Sequence, residues 1–232
     1  MFKLPRVYIK DYNRLITSVQ SSGKIIWQQS PVKPCKGWSV TQTTGGIGKI
    51  FRETRAPTPT GSPCWKITTS QVNNGYCEPF FHFYLPKNKR LGLEFLFTAP
   101  YFANIKEVRF GIEGYNGANR LLTGIMYDTS SHVWSVLDDT NNWQNFLTYD
   151  LKVFAFPQLV WHHIKVRYDF ETGKYIDFMV DDTIKNLSDI KIYKPSTITH
   201  KRCYCWIALY DKSTAGYGCI YVDDVVVTEE EE

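Results

Sequence analysis

The carboxylates with the chemistry of an acid–base pair are spaced too widely along single segments to cooperate. Glu107 and Glu113 fall on one face of an alternating stretch. At roughly 3.3 Å per residue their backbones are about 20 Å apart. Asp177 and Asp181 are about 13 Å apart by the same rise. Glycosidic hydrolysis needs its two carboxyls about 5 Å apart for retention, or about 6.5–9.5 Å for inversion. Neither same-strand pair meets that demand. A cross-strand pair, such as Glu94 with a carboxylate on a neighbour, is the arrangement left for the fold to decide.

Other chemistries find less support. The five histidines, His82, His132, His162, His163 and His200, accompany no G-x-S-x-G elbow and no recognisable Cys-His motif. Thr44–Lys49 (TGGIGK) is glycine-rich but lacks the P-loop spacing and its closing Ser/Thr. Of the six cysteines, Cys203 and Cys205 form a C-x-C pair, while Cys35, Cys64, Cys77 and Cys219 stand alone. Without paired C-x-x-C knuckles a zinc ribbon is not expected. Free, half-buried thiols are the expectation, with a Cys35–Cys64 disulfide as the alternative. The chain reads as a non-enzyme.

The elements that carry these residues alternate with period two, and helical periodicity is almost absent. In WHHIKVRYDF, His162, Ile164, Val166, Tyr168 and Phe170 share one face. Trp161, His163, Lys165, Arg167 and Asp169 share the other. After Glu171-Thr172-Gly173, the run KYIDFMVDD alternates in the same way. The two runs predict a hairpin with one solvated face, placing His162 inside and His163 at the surface. Leu91, Leu93, Phe95 and Phe97 share a face, as do Val108, Phe110 and Ile112. Asn116-Gly117 then marks a tight turn, with Arg120–Asp128 as the returning strand. HVWSVL, WQNFLTY, CYCWIALY and GCIYVDDVVV supply further strands. Turn signals recur about every ten residues, the spacing of a sandwich or barrel.

These features predict one domain over 1–232. Residues 1–62 form N-terminal strands and long loops, 63–228 the core, and 229–232 an acidic tail. Aromatic residues make up 16% of the chain, which favours pleated sheets and provides stacking surfaces if some are exposed. The net charge of +4 is modest and the basic residues are scattered, so nucleic-acid binding is not expected. Met1–Lys10 lacks the apolar core of a secretory signal, and no run is long and apolar enough to insert into a membrane. The expectation is a protein made soluble in the cytoplasm, with a virion as a possible destination.

WHHIKVRYDFETGKYIDFMVDD resembles the W-H-[HK]-[IV]-K strand and hairpin of concanavalin A-like and laminin G-like jelly rolls. YVDDVVVTEE resembles their closing strand, and the Y-[IV]-D-[DN]-V close of jelly-roll carbohydrate-binding modules. CWKITTS and LGLEFLF fit an early core hairpin, so the resemblance spans about Cys64 to Thr228. It implies an all-β, two-sheet antiparallel jelly-roll β-sandwich of the concanavalin A-like kind. Hydrolytic relatives carry E-x-D-x-x-E on one strand, a motif absent here. In the binding modules the first Asp of the closing motif helps hold a structural calcium, which implies Asp223 as a metal ligand. Calcium needs further oxygen ligands, and the N-terminal Glu motif that would supply one is not evident.

Similar folds use their middle hairpins as a concave sheet and rim. By that likeness Trp143, Trp134, Tyr127 and Tyr115 are the expected stacking residues, Trp143 foremost because it follows the Asp/Asn-rich turn. Arg109, Glu113 and Arg120 are the expected polar contacts. Non-catalytic carbohydrate recognition is therefore the first functional expectation, with a glycan as partner. A structural or assembly protein is the alternative, such as a surface, decoration or tail component of a virus particle. Its partners would be other protein subunits, in a homo-oligomer or larger assembly. A glycoside hydrolase stands third.

Overall fold

A computed structural model describes residues 24–29, 38–54, 56, 58, 63–83, 89–115, 119–153, 159–195, 203–212 and 216–229. Cys35, Asn116, Gly117, His200 and the tail beyond Glu229 lie outside them. Among the described residues the secondary structure is β throughout, in two antiparallel sheets. Sheet A runs β14 (Thr183–Asn186), β13 (Lys174–Val180), β12 (His162–Asp169), β6 (Arg90–Thr98), β16 (Cys219–Glu229), β4 (Cys64–Thr68) and β3 (Ile50–Glu53). β1 (Lys24–Gln29) joins the far half of β16. Sheet B runs β11 (Trp143–Thr148), β10 (Val133–Leu137), β9 (Ile125–Asp128), β7 (Ile105–Tyr115), β15 (Cys203–Asp211), β5 (Tyr76–Phe83) and β2 (Trp38–Gln42). β8 (Arg120–Leu122) pairs with the end of β7.

The two inner faces form one core. Leu91, Leu93, Phe95 and Phe97 of β6 face Val108, Phe110 and Ile112 of β7, as their alternation predicts. Phe95 meets Phe110 edge-on at 4.9 Å between centroids. Trp134 is the large central piece, 4.8 Å from Tyr127 in its own sheet and 4.8 Å from Phe178 in the opposite one. Such aromatic contacts add to the area each ring withdraws from water.

The predicted β12–β13 hairpin forms in register, with Val166 opposite Phe178 and Arg167 opposite Asp177. Its second face is solvated only in part, at Arg167, Asp169, Asp177 and Met179, which corrects the expectation for His163 and Lys165. His163 and Lys165 are both buried, held by Glu94 of β6, which is itself buried. His163 Nε2 lies 2.7 Å from Glu94 Oε1, and Lys165 Nζ lies 3.6 Å from Oε2. Alternating polar residues reveal which side of a strand they share, not whether that side is covered. Here opposite charges meet across adjacent strands, so the face tolerates burial.

His162 lies inside as expected, between the carboxylate of Asp181 (2.8 Å) and the carbonyl of Lys152 (3.0 Å). Asp181 also accepts from Tyr149 Oη at 2.8 Å and from the backbone N–H of His163 at 3.0 Å.

Two segments are more divided than alternation predicts. Within 1–62, read as strands and long loops, the described residues contribute the edge strands β2 and β3 to opposite sheets. Arg120–Asp128 splits into β8 and β9 without losing register. At the split the Thr123 hydroxyl, not its carbonyl, accepts the Ile112 N–H at 2.8 Å. The turned carbonyl then occupies the space where a Cβ on Gly111 would sit. Cys64, Cys77, Cys203, Cys205 and Cys219 are free and fully buried, so Cys64 forms no disulfide.

Trp134→Ala should cost about 3–5 kcal/mol in chemical denaturation, because a packed interior refills a large cavity poorly. A loss under about 1 kcal/mol would contradict its central place. Burial alone would raise the Asp181 carboxyl, but bonds from His162, Tyr149 and the His163 amide hold it below the ordinary 3.8. Its contribution is therefore complete above about pH 5 and is lost as pH falls through that lower folded-state value. Asp181→Asn should lower stability at neutral pH and flatten the decline of melting temperature in acid.

Candidate ligand-binding face

Residues on sheet B that alternate with the core point outward and form one surface across the strands. β5 contributes Tyr76, Glu78, Phe80 and His82; β15 contributes Tyr204, Trp206, Ala208 and Tyr210. β7 contributes Glu107, Arg109, Gly111 and Glu113. Register sets them in rows. His82, Tyr204 and Glu113 stand side by side, then Phe80, Trp206 and Gly111, and finally Tyr76, Tyr210 and Glu107. Pro79 interrupts the ladder between β5 and β15, but the pairs on either side of it bring Glu78 beside Ala208. Ala208 is directly opposite Arg109.

Aromatic rings and one guanidinium cross this face as a continuous stack. Tyr76 stacks on Tyr210 at 5.7 Å with an interplanar angle of 26°. Arg109 lies over the opposite neighbour, with Cζ 3.9 Å from the Tyr210 ring and 4.9 Å from that of Trp143. A cation held between two rings is attracted by both quadrupoles. Gly124 makes room for the indole, since a Cβ there would come within 2.9 Å of Trp143 Cη2. Phe80, His82 and Tyr204 make a second cluster, with centroids 5.4–5.6 Å apart.

The charges on this face are mostly paired. Arg109 Nε donates to Glu107 Oε2 at 2.7 Å, and its Nη2 donates to the same oxygen. Arg120 grips Glu113 with two hydrogen bonds of 2.6 Å, and Tyr204 Oη donates to the same carboxylate. Burial and that bond to Glu113 push the Tyr204 phenol up. Glu78 differs. Burial, reinforced by the negative charge of Glu113 and opposed by Arg109, pushes its carboxyl up to about 7.

The expected site residues divide between this face and the core. Trp143, Arg109, Glu113 and Arg120 come together on it. Trp134 and Tyr127 do not: both are buried between the sheets, which corrects their assignment as ligand contacts. Tyr127 Oη is tied internally to His132 Nδ1 at 2.9 Å. Tyr115 is buried at the end of β7, opposite Arg120. Asp223 lies at a bulge in β16, where register against β6 shifts and Asp224 takes φ +46°. Its carboxylate is buried and accepts the Asp224 N–H at 3.0 Å. Among the described residues no group of three His, Cys, Asp or Glu side chains is arranged to hold a metal ion.

Tyr76, Glu78, Phe80, Tyr204, Trp206 and Tyr210 were missed, although a signal for them existed. In YCEPFFHF and CYCWIALY, large polar-tipped or aromatic residues alternate with residues that prove buried in the core. That pattern marks a strand with something to offer on both faces.

No protein-family model matches the chain, and no curated protein matches it in sequence. Solved structures do match in shape. A sialidase superposes with a TM-score of 0.54 at 9% identity, covering 90% of this chain and 19% of its own. A carbohydrate-binding module of the β-sandwich superfamily, described as promiscuous in specificity, gives 0.50 at 14%, covering 90% and 64%. The fold is a jelly-roll β-sandwich. Rv0315 of Mycobacterium tuberculosis, an immunostimulatory antigen and pseudo β-1,3-glucanase, gives 0.53 at 12%, covering 90% and 100%. The jelly roll thus spans about a fifth of the sialidase chain and just under two thirds of the binding-module chain.

Gly124→Val should displace the Trp143 indole from its place beside Arg109. Tryptophan emission should move to longer wavelength by an amount that Trp143→Phe abolishes. An unchanged spectrum would show that the indole does not rest on Gly124.

Proposed function

We propose that the protein is a non-catalytic carbohydrate-recognition module that holds glycan on the outer face of sheet B. The observation that carries this reading is the Tyr76–Tyr210–Arg109–Trp143 stack, with Glu78 beside it. Pyranose rings present apolar faces to aromatic rings, while hydroxyls need planar polar groups at fixed positions. Tyr76, Tyr210, Tyr204, Phe80 and Trp143 are each partly exposed, and each is held by its neighbours. Rigid contact groups lose little entropy on binding. The non-catalytic part of the reading is supported by the carboxylates' partners. Glu107 and Glu113 are each neutralised by an arginine. Glu78 alone does not make an acid–base pair.

A second reading, a structural or assembly protein, is favoured by apolar groups at the sheet edges. Ile184 on edge strand β14 is 64% exposed, and Phe51 on edge strand β3 is also exposed. Open edges of this kind pair readily with other chains.

Titration with neutral oligosaccharides should quench tryptophan fluorescence. Trp143→Ala and Tyr210→Ala should each weaken binding at least about tenfold, as loss of a central aromatic contact does. Both variants should melt within a few degrees of the parent. No response to any glycan, together with a native mass many times 27.0 kDa, would favour the assembly reading instead. Release of reducing sugar that Glu78→Gln removes would overturn the non-catalytic reading.

A further inference from the structure

The geometry points to Glu78 as the carboxyl that contacts ligand hydroxyls and makes this face select neutral over acidic glycans, an inference that rests on the carbohydrate-binding reading. Every other charged group in the middle of the face has a partner. Arg109 is held by Glu107 and stacked between Tyr210 and Trp143. Arg120 and Tyr204 are both committed to Glu113. The Glu78 carboxyl makes no hydrogen bond or ion pair among the described residues, although the residue is more than half covered.

The surroundings of Glu78 are defined on each side. Its own strand brings Tyr76 and His82 to the same face, and β15 brings Tyr204 and Tyr210. β7 brings Glu107, Arg109 and Glu113, and β8 brings Arg120. From β2, Thr41 opposite Glu78 and Ser39 carry no ionisable group. Ala208, the smallest side chain in the row, separates Glu78 from Arg109. A carboxylate that lacks an internal donor takes two adjacent sugar hydroxyls, one on each oxygen. The two guanidinium groups that would attract an acidic sugar are already occupied. A sugar carboxylate placed here would meet Glu78 and Glu113 instead, and like charges at close range repel.

The elevated carboxyl of Glu78, at about 7, makes this selection depend on pH. Ionised, Glu78 accepts two charge-assisted bonds, which are stronger than neutral ones. Protonated, it accepts less strongly and no longer repels an anion.

Binding of cellohexaose, xylohexaose, laminarihexaose and hexagalacturonate to the intact chain should be measured by calorimetry from pH 5.5 to pH 8.5. Among the neutral hexasaccharides, any that binds should tighten about fivefold as pH rises through neutrality, the gain expected of one charge-assisted bond. Hexagalacturonate should bind, if at all, only at the acid end. Glu78→Gln should leave the melting temperature unchanged, flatten the neutral-sugar profile and admit hexagalacturonate at pH 8.5. Glu171→Gln, which alters an exposed carboxyl in the β12–β13 turn of the other sheet, should keep the parental profile. If neutral sugars bind but Glu78→Gln has the same profile and selectivity as the parent, the role of Glu78 is overturned and the binding face stands. A parental preference for hexagalacturonate at pH 8.5 overturns it too. If none of the four binds at any pH, the carbohydrate reading fails and the role of Glu78 fails with it.

Discussion

Trp134 reaches from β10 across the sandwich to Phe178 on β13, and packs against Tyr127 and Phe110 of its own sheet. That aromatic contact holds the two sheets at their working separation. Everything outside it follows from the pleat. Once Phe110, Ile112, Ile207 and Leu209 are committed inward, the residues between them must face out. Arg109, Glu113, Trp206, Ala208 and Tyr210 therefore share one surface without any further instruction. A shift of one residue on either strand would exchange core for face.

The two outer faces meet the problem of covered charge in similar ways but with different remainders. On sheet A, Glu94, His163 and Lys165 close on one another, and Arg167 grips Asp177 at 2.6 and 2.9 Å. On sheet B, two arginines take two glutamates, and the aromatic rings pack along and around them. Glu78 remains, raised towards neutrality by burial and by Glu113. An ionisable group left in that state within an aromatic surface differs in character from the paired charges around it. Pairing stabilises a covered charge, whereas an unmatched one suits contact with something outside the chain.

Glycine and alanine shape the face as much as the large residues do. Gly124 provides the space beneath the Trp143 indole, and Gly111 admits the turned Thr123 carbonyl. Ala208 keeps the row between Glu78 and Arg109 low. Glycine usually weakens a sheet, and here both glycines have a neighbour occupying the volume a side chain would take.

The sequence by itself determined the architecture and much of the core. Period-two alternation in the stretches around Leu91, Val108 and His162 placed the inward residues correctly, because burial of one strand face imposes that period. In β13 a register shift turns Tyr175 into the core and leaves Ile176 part-exposed, against the alternation that grouped Ile176 with Phe178 and Val180. Alternation also grouped Arg109 with Glu113, and the turn before Trp143 correctly brought it outside the core. It gave the wrong place to Trp134 and Tyr127, since a large aromatic serves equally well as core or as platform, and only packing against the opposite sheet distinguishes them. It gave His163 and Lys165 a solvated face because type alternation carries no information on what lies above a strand. The partner on the other edge of β7 was beyond its reach. β15 lies far along the chain from Glu113, as does β5 from the β15 it pairs with, and antiparallel pairing between distant strands is set by the whole core rather than by local signals. The tertiary structure alone decided that Glu78, Tyr204, Tyr210 and Arg109 would meet on one surface.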